Sequence, residues 1–552
     1  MLVSAIVAAG VALVPASASA AGAPGTATKS DAPSASALTA ASTFKTFTSA
    51  ASNTARVEKG AVAAPNSSSA APAPAASGDP DPGFTIGLSA TGTSAYSIDL
   101  TTTVSTAVFP LNGTVNWGDG TSGPLYFSGA VPAVLAHSYA KLGQYNVSVV
   151  LTDNNAVVES NSVMVSTPGS QYTPYGPTRL LDTRDGTGAP AAKVPSYGIT
   201  RVQVAGNGAI PSKVTAVVLN VTVTNPTNSG FITAYADGTA RPTTSNVNFT
   251  AGQTVPNMAI VPVGADGYVD LYNSGLASVD LIADVTGYFT QSSASGYTSL
   301  TPTRIVDTRD GTGTGSAAQV PGLGAISAQV AGNAGVPASG ATAVALNVTV
   351  TNPRSDGFLT AFPDGQATPN ASNVNYLAGQ TIANSVVVPI GADGKIDIHN
   401  GGGLGADVVI DVVGYYSPAS KSSYLPIKPT RLLDTRDPSW PSGPLDAGQY
   451  IYMPLSDTEP DITGFVLNTT VTNTRGGGFL TVSPDPNTLA QYGNNTASAS
   501  RPNSSVLNWL PGQTVPNLVQ AGTGGTGIID FWNTGSGTTD LVVDAFGFYQ
   551  ND

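Results

Sequence analysis

One nine-residue stretch occurs three times in this chain and governs its organisation. It reads Pro-Thr-Arg-Leu-Leu-Asp-Thr-Arg-Asp from Pro177 to Asp185, and it returns nearly unchanged over 302–310 and 429–437. Each copy opens a unit of roughly 120 residues, which is the size of an ordinary domain and far longer than a solenoid repeat. The spacing therefore predicts three tandem domains, named here repeat 1 (172–290), repeat 2 (297–417) and repeat 3 (424–552).

Each repeat passes through the same series of short apolar segments separated by turn residues. In the alternating strand of repeat 1, Leu219 and Val221 face one way, while Asn220 and Thr222 face the other. No stretch within a repeat keeps a helical period over three turns. We therefore expect an all-β, multidomain protein whose repeats are β-sandwiches or jelly rolls, each folding independently. The recurring segments are an alternating strand, a Gly-Phe strand and a closing strand, which begin at Val217, Gly230 and Asp284, at Val344, Gly357 and Asp411, and at Val466, Gly478 and Asp544.

The charge balance and the absence of cysteine exclude several classes of function. The chain has 34 Asp and Glu against 21 Lys and Arg, for a net charge of −13. A nucleic-acid partner would require a basic face, so none is expected. With no cysteine, there can be no disulfide, no thiolate metal site and no cysteine nucleophile.

The start of the chain is typical of an exported protein. An apolar run from Leu2 to Val14 is followed by the small-residue pattern Ala18-Ser19-Ala20, although no Lys or Arg precedes the run. We interpret 1–20 as a signal peptide. The run is too short to span a membrane, and no later run is long enough. We therefore expect a secreted protein, either extracellular or loosely associated with the cell surface, and no membrane span.

Residues 21–82 consist mainly of Ala, Ser, Thr, Pro and Gly. Such a segment buries too little apolar surface to offset its ordering entropy, so we predict a disordered linker. Within it, the patch 44–57 is interpreted either as disorder or as a marginal helix.

The segment 83–167 has a different pattern. Trp117-Gly118-Asp119-Gly120-Thr121 is a strand that enters a tight turn, and His137-Ser138-Tyr139, Gly143-Gln144-Tyr145 and an alternating strand over 147–153 follow it. We expect Trp117 and Tyr145 to lie in a core between two sheets. In this order the residues resemble the PKD domain, a small immunoglobulin-like β-sandwich. The resemblance implies an extracellular spacer, or a module that contacts proteins or carbohydrates, in which His137 is structural.

The three repeats resemble a repeat of secreted actinobacterial proteins that carries the Pro-Thr-Arg-Leu-Leu-Asp-Thr-Arg run. This resemblance implies an actinobacterial, extracellular setting, and it implies no particular activity.

The recurring stretch contains the candidate ligand-binding residues, for which we consider three roles. Arg and Asp side chains pair across the sandwich edge and hold the opening strand, or they line a polar cleft for sugar hydroxyls or a carboxylate, or the turn 185–188 binds calcium. Against calcium, repeat 3 has Asp437-Pro438-Ser439-Trp440 at that turn, and no complete oxygen-ligand loop is visible. The candidates are Arg179, Asp182, Arg184, Asp185, Arg304, Asp307, Arg309, Asp310, Arg431, Asp434, Arg436 and Asp437.

Tryptophans suggest a further ligand contact. Trp509 aligns with Phe249 and Tyr376, which predicts a core position. Trp532 aligns with Tyr272 and His399, a position too variable for a shared core role. An exposed Trp532 would offer a plane for a sugar ring, so it joins the candidate ligand-binding residues.

No catalytic constellation is recognisable. Asp182 and Asp284 recur in every repeat and so allow a glycosidase carboxyl pair, but three identical tandem active sites would be unusual. There is no nucleophile elbow, no recurring Ser-His-acid set, no His-Glu-x-x-His and no phosphate loop. We therefore predict a protein that is not an enzyme and needs neither cofactor nor metal.

These observations favour a secreted, non-catalytic binding or adhesion protein that contacts cell-wall or extracellular polysaccharide at several sites. Other surface proteins are a second kind of partner. A structural surface spacer without a ligand, or an accessory module of a secreted hydrolase, are the alternatives. A demonstration that the protein binds polysaccharide would favour the first interpretation over the structural spacer.

Overall fold

The chain is almost entirely β-structure, as predicted. The computed structural model describes residues 27–29, 44–57, 83–105, 109–440, 443–498 and 500–551, arranged in eight sheets. Its described helical elements are a 3-10 turn at Ala51–Asn53 and a short α-helix at Leu489–Gly493. Within these ranges no helix is long and apolar enough to cross a membrane. The predicted signal peptide lies outside the described residues.

The first domain is a sandwich of two sheets, ordered β2-β4-β5-β8 and β3-β10-β9-β6-β7. Trp117 is buried between the sheets and Tyr145 is half-buried against the same core, as expected. The strands before the repeats are β1 (Ala27–Lys29), β2 (Thr46–Ser49), β3 (Ala55–Arg56), β4 (Thr85–Gly92), β5 (Ser97–Ser105), β6 (Leu111–Asn116), β7 (Ser122–Phe127), β8 (Ala133–Ser138), β9 (Gln144–Thr152) and β10 (Val158–Ser166).

The segment 44–57 corrects the prediction of an unbroken linker over 21–82. It consists mainly of two short strands that a single 3-10 turn joins, because β2 pairs with β4 and β3 pairs with β10. Phe47 packs against the first core, and Ser49 Oγ donates to Asn161 Oδ1 at 2.8 Å. These stabilising contacts come from residues 30 to 110 positions away, so local composition gave no sign of them.

Each repeat is a jelly roll of two four-stranded antiparallel sheets. In repeat 1 the inner sheet has the order β11-β18-β13-β16 and the outer sheet the order β12-β17-β14-β15, and the other two repeats follow the same plan. The strands of repeat 1 are β11 (Gln171–Asp182), β12 (Ile199–Gln203), β13 (Ala216–Thr224), β14 (Gly230–Ala236), β15 (Val247–Phe249), β16 (Val255–Pro262), β17 (Tyr268–Asn273) and β18 (Asp280–Thr290).

The strands of repeat 2 are β19 (Gly296–Asp307), β20 (Ala325–Gln329), β21 (Ala343–Thr351), β22 (Gly357–Pro363), β23 (Val374–Tyr376), β24 (Ile382–Pro389), β25 (Lys395–Asn400) and β26 (Asp407–Ser417). Those of repeat 3 are β27 (Ser423–Asp434), β28 (Tyr450–Pro454), β29 (Ile462–Thr472), β30 (Gly478–Pro484), β31 (Leu507–Trp509), β32 (Val515–Gly522), β33 (Ile528–Asn533) and β34 (Asp540–Gln550). Strand β1 joins repeat 3, pairing in parallel with β28 at the edge of the outer sheet.

The inner sheets are buried on both faces. Leu219 and Val221 lie in the core of repeat 1, as the alternation predicted, but every residue of β13 is buried. The polar face, with Asn220 and Thr222, is covered by the neighbouring repeats instead of water. The inner sheets therefore contribute to two cores, one within each repeat and one between repeats.

The three repeats close into a ring around a shared apolar core. Strands β16, β24 and β32 contact one another at its centre. Between the repeats, Asn384 Nδ2 donates to Asn220 Oδ1 at 2.9 Å, Asn517 Nδ2 to Asn347 Oδ1 at 3.1 Å, and Asn257 Nδ2 to Asn468 Oδ1 at 3.0 Å. These bonds run from repeat 2 to 1, from 3 to 2 and from 1 to 3, which defines a closed, pseudo-threefold arrangement. The shared core contains Tyr172, Ala216, Val218, Met258, Ile260, Phe289, Tyr297, Ala343, Ala345, Val387, Val413, Tyr416, Tyr424, Val466, Leu518, Phe546 and Tyr549.

The contacts within this ring lead us to predict, against the expectation from the sequence, that the repeats do not fold independently. A separated repeat would expose its share of the central core and leave its seam asparagines without partners. Unsatisfied buried amides cost free energy, so the closed ring is the unit that satisfies them.

The first domain docks at one end of the ring. Tyr96 Oη donates to the Lys421 backbone oxygen at 2.8 Å, and Gln291 Nε2 donates to that of Thr167 at 2.9 Å. The segments that join the repeats lie at this end. The opposite end is formed by the distal loops, which we define as 183–198, 225–229, 250–254 and 274–279 of repeat 1, 308–324, 352–356, 377–381 and 401–406 of repeat 2, and 435–440, 443–449, 473–477, 510–514 and 534–539 of repeat 3.

Candidate functional site

The first arginine of the recurring stretch ties the opening strand to the closing strand. Arg179 Nε and Nη2 donate to the two oxygens of Asp284 at 2.9 and 3.2 Å, and Nη1 donates to Asp182 at 3.0 Å. Asp284 also accepts from the Ser372 backbone N–H of repeat 2. Burial raises the pKa of Asp284, and Arg179 opposes that rise. The same fork joins Arg304 to Asp411 and Asp307, and Arg431 to Asp544 and Asp434.

The second arginine of the recurring stretch, Arg184, lies on the solvent side of the buried Asp182 carboxylate. Arg184 Nε and Nη2 donate to Asp182 at 2.8 and 2.6 Å, and these bonds lower the pKa of that carboxyl. The Arg184 side chain remains about half exposed at the distal end. The third acid, Asp185, accepts from the Thr187 backbone N–H at 2.9 Å and so closes a turn. Arg309, Arg436, Asp310 and Asp437 occupy the equivalent positions.

The geometry therefore engages Arg179, Arg304 and Arg431 in internal ion pairs, which is the first of the three roles considered. Among the described residues, no cluster of three or more acidic or histidine side chains converges on a metal position. A ligand contact by the half-exposed Arg184, Arg309 and Arg436 remains a prediction.

The structure brings together a second set of acids that the sequence analysis missed. Asp270, Asp397 and Asp530 occupy the same central position on the outer faces of β17, β25 and β33. A second acid follows the neighbouring strand in each repeat, and these acids are Asp237, Asp364 and Asp485. We call each pair, such as Asp237 with Asp270, the outer-face acid pair. The same threefold recurrence could have identified these acids, because each second acid directly follows the recurring Gly-Phe strand.

In repeat 3 the acid pair is buried. Asp485 and Asp530 are in hydrogen-bond contact, and burial and the Asp485 charge raise the pKa of Asp530 to about 9. The Tyr492 hydroxyl donates to the Asp485 carboxylate. Two buried hydroxyls of this face, Ser483 Oγ and Ser504 Oγ, have no hydrogen-bond partner among the described residues, whereas Trp532 lies within reach of the Asp530 carboxyl and opposes the rise of its pKa.

Trp532 lies in this face and is 5% exposed. The expectation that its indole is exposed and packs against a sugar is therefore wrong. Trp532 stacks on Tyr450 at a centroid distance of 3.9 Å. The connection between β30 and β31 has 22 residues in repeat 3, against ten in each sister repeat, and its helix places Leu489 and Tyr492 over the face. Strand β1 covers the adjoining edge. Trp509, by contrast, lies in the repeat core as predicted.

In repeat 1 the face has a different composition, with Asp270 and Tyr272 buried and two exposed arginines beside them. Arg201 pairs with both Asp237 and Asp266 and lies 4.0 Å above the Tyr268 ring. Its side chain is 48% exposed. A second guanidinium, Arg241, lies 3.9 Å above the Tyr272 ring, the position equivalent to Trp532. Burial raises the pKa of Asp270, and Asp237 adds to the rise.

The outer face of repeat 2 has the same acid pair, but fewer aromatic side chains surround it than in repeats 1 and 3. The Asp364 carboxyl is hydrogen-bonded to Asp393, and Lys395 Nζ lies 3.1 Å from Asp393 Oδ2. Ser327 Oγ donates to Asp397 Oδ1 at 2.5 Å, and His399 takes the place of Tyr272. The three outer faces therefore share the acid pair and differ in their access and in their aromatic content.

His137 of the first domain lies against the turn that follows β6. Its Nε2 is 2.8 Å from Asp119 Oδ2, and its ring stacks on Trp117 at 4.4 Å. Asp119 also accepts from Thr121 at 2.6 Å. This is the structural position expected for the residue.

Comparison with known proteins gives a likeness of fold. The chain matches none of the protein families with which it was compared, and no curated protein is significantly similar to it. A carbohydrate-binding module of the β-sandwich superfamily is 11% identical over 35% of this chain and 90% of its own, with a TM-score of 0.12. A tandem of such modules from Paenibacillus barcinonensis is 10% identical over 44% of this chain and all of its own, with a TM-score of 0.15. A triple jelly roll protein of an archaeal virus is 12% identical over 74% of this chain and 90% of its own, with a TM-score of 0.15.

Proposed function

We propose that this protein is a secreted, non-catalytic binding protein that contacts an extracellular or cell-wall polysaccharide through the outer faces of repeats 1 and 2. The observation that carries the proposal is the outer-face acid pair, which recurs at the same place in all three repeats. Carboxylates accept hydrogen bonds from hydroxyl groups, and neighbouring aromatic rings pack against the apolar side of a sugar.

Repeat 1 has the face in which aromatic rings and guanidinium groups lie beside the acids. Tyr268 and Arg201 stand beside the acids Asp237 and Asp266. This combination of a ring, a planar donor and acceptors suits a neutral or uronic sugar. Because the ring holds the repeats in fixed orientation, weak contacts at several faces would add as avidity on a repetitive glycan.

The carboxyl arrangements support a binding role over hydrolysis. Asp182 and Asp284 share one guanidinium, so neither has the freedom of a nucleophile or a general acid. Asp485 and Asp530 are in direct hydrogen-bond contact, whereas glycosidase carboxyls stand roughly 5 to 9 Å apart. The resemblances of the first domain to PKD domains and of the repeats to actinobacterial secreted repeats also support an extracellular role.

The test is co-sedimentation of the full chain with a panel of insoluble cell-wall and matrix polysaccharides. We expect binding without turnover, and a loss of at least tenfold in the variant carrying Tyr268→Ala and Asp237→Asn. The control is Tyr126→Ala, a tyrosine of the first domain that is 59% exposed, which should bind as wild type. If the wild type stays in the supernatant with every polysaccharide, the proposal fails and the spacer interpretation replaces it. Release of soluble sugar would contradict the non-catalytic role.

A further inference from the structure

A short segment of repeat 3 folds over the outer face that contains Trp532. We call this segment the lid and define it as residues 488–494, which include the capped helix Leu489–Gly493. It belongs to the β30–β31 connection, which has 22 residues in repeat 3 and ten in each sister repeat. Most lid side chains are exposed, and Leu489 and Tyr492 are the two that pack against the face. The lid is therefore an addition to the jelly roll that covers one of its surfaces.

Tyr492 contacts this face in the way that a bound sugar residue would. Its aromatic ring lies flat on that of Tyr452, with the centroids 3.8 Å apart and the planes 6° from parallel. Its hydroxyl donates to the Asp485 carboxylate and lies 3.0 Å from the Tyr450 hydroxyl. A sugar also packs an apolar side on an aromatic plane while its hydroxyls bond to carboxylates. The lid thus places its own aromatic alcohol at a position that suits a sugar.

The aromatic side chains beneath the lid are concentrated in repeat 3. Tyr450, Tyr452 and Trp532 line its outer face, and Tyr450 stacks on Trp532 at 3.9 Å. The repeat that has the lid therefore also has the largest aromatic surface for a sugar. By strand register the corresponding residues are Ile199, Arg201 and Tyr272 in repeat 1, and Ala325, Ser327 and His399 in repeat 2.

Closure of the lid leaves polar groups of this face unsatisfied. Ser483 Oγ and Ser504 Oγ are buried without a hydrogen-bond partner among the described residues. Ser483 lies directly opposite Asp530 in the strand register, beside the acid pair. A face built only to be covered would be more stable with apolar side chains here, because a buried unpaired hydroxyl costs free energy. These hydroxyls suit a surface that also exists uncovered and bonds to the hydroxyl groups of a ligand.

We propose that the outer face of repeat 3 is a further sugar-binding site, which the lid closes and which a sugar residue opens by displacing Tyr492. The inference rests on the proposed function and adds to it a third face whose access is controlled. The incoming sugar would stack on Tyr452 and Trp532. Its hydroxyls would replace the Tyr492 hydroxyl as donors to Asp485. Because the closed lid competes with the ligand, the apparent affinity falls in proportion to the fraction of molecules whose lid is open.

Opening the lid by mutation should therefore increase binding. The probes are soluble oligosaccharide fragments of cellulose, xylan, chitin and peptidoglycan, and their binding to the full chain is measured by isothermal titration calorimetry. We expect Tyr492→Ala to bind at least one fragment at least tenfold more tightly than wild type does, and we expect Trp532→Leu to abolish that gain when it is added. A second lid variant, Thr488→Ala with Gln491→Ala, removes the capping box without changing the face and should show a smaller gain.

Hydroxyl-radical footprinting with mass spectrometry reports the position of the lid independently of calorimetry. Trp532 should be oxidised more readily in Tyr492→Ala than in wild type, and the fragment that binds should protect it. Trp117, which is also 5% exposed, should be unchanged and serves as the internal standard. The matched control is Asn494→Ala, an exposed residue at the end of the same helix, which should behave as wild type in both measurements.

The inference is overturned if Tyr492→Ala gains neither Trp532 oxidation nor affinity for any fragment, if the gain in affinity survives Trp532→Leu, or if the control variant gains as much. Its failure can be distinguished from failure of the proposed function. If Tyr268→Ala with Asp237→Asn abolishes co-sedimentation while Tyr492→Ala gains nothing, the proposed function stands and this inference fails. If that repeat 1 variant binds as wild type while Tyr492→Ala shows a gain that depends on Trp532, the inference stands and the repeat 1 face fails.

Discussion

At the scale of single residues, Asp530 is the most perturbed group of the outer faces. Its pKa is raised from 3.8 to about 9 by burial and by Asp485. Between those values the unfolded chain carries an ionised Asp530, while the folded chain keeps it protonated. The folded state therefore binds one more proton, and its stability falls as pH rises from about 4 toward 9.

We expect Asp530→Asn to remove this pH dependence, because the amide resembles the protonated acid and does not titrate. At pH 8 the variant should melt above wild type, since about 1 kcal/mol shifts the melting temperature by roughly 2 to 4 °C in a domain of about 200 residues and by less in a larger cooperative unit. At pH 4 the two should be nearly equal. The measurement is a series of thermal melts from pH 4 to 9, with Asp437→Asn, an exposed turn acid, as the control. A wild-type and a variant profile with equal slopes would refute the assignment.

The two arginines of the recurring stretch should differ in their effect on stability. Arg304→Ala leaves Asp411 buried without its arginine and removes one of the two arginines that bond Asp307, at a cost of roughly 3 to 5 kcal/mol. Arg309→Ala removes a partly exposed partner of Asp307 alone and should cost about 1 kcal/mol or less. Chemical denaturation of the two variants shows whether Arg304→Ala loses more stability than Arg309→Ala. Equal losses, or a stable Arg304→Ala variant with altered ligand binding, would assign the first arginine to a ligand site.

At the scale of elements, the inner strands show which part of strand burial an alternating sequence pattern can predict. The alternation in β13 correctly predicted which side chains enter the repeat core, such as Leu219. It could not show that the opposite face, with Asn220, is also buried, because Asn and Thr on a strand are typical of a solvent-facing surface. Only the partners supplied by other repeats, such as Asn384, make that face an interface.

An isolated repeat 2, residues 297–417, should therefore not behave as a stable monomer. It would expose the shared-core residues Tyr297 and Tyr416 and leave Asn347 and Asn384 without their partners. We expect either aggregation or self-association into a threefold assembly that imitates the ring. Light scattering after size-exclusion chromatography, with a thermal melt, distinguishes these outcomes. A soluble monomer with a cooperative transition would contradict the interpretation.

The outer elements were less predictable than the inner ones. The burial of Trp532 depends on a longer β30–β31 connection in one repeat, and alignment of the repeats gave no indication that this loop folds back over the face. The strands within 44–57 depend on pairing with residues far along the chain. In both cases the deciding contacts are tertiary, whereas the jelly-roll class and the Arg–Asp pairing followed from recurrence and side-chain chemistry.

At the scale of the whole molecule, closure of the ring determines how the surfaces are presented. The first domain occupies one end, the distal loops form the other, and the outer sheets lie on the periphery. This differs from the chain of independent domains that the spacing alone predicted. A rigid ring presents its outer faces in fixed directions, which both binding proposals require.

Differential scanning calorimetry of the full chain tests ring closure most directly. Asn384 is buried and bonds to Asn220, to the Asn373 backbone oxygen and to the Met258 backbone N–H, so Asn384→Ala should cost about 2 to 4 kcal/mol. We expect all three repeats to unfold in one transition, with a van't Hoff enthalpy close to the calorimetric enthalpy, and the substitution to lower that whole transition. Three separate repeat transitions, of which the substitution moves only one or two, would contradict the closed ring.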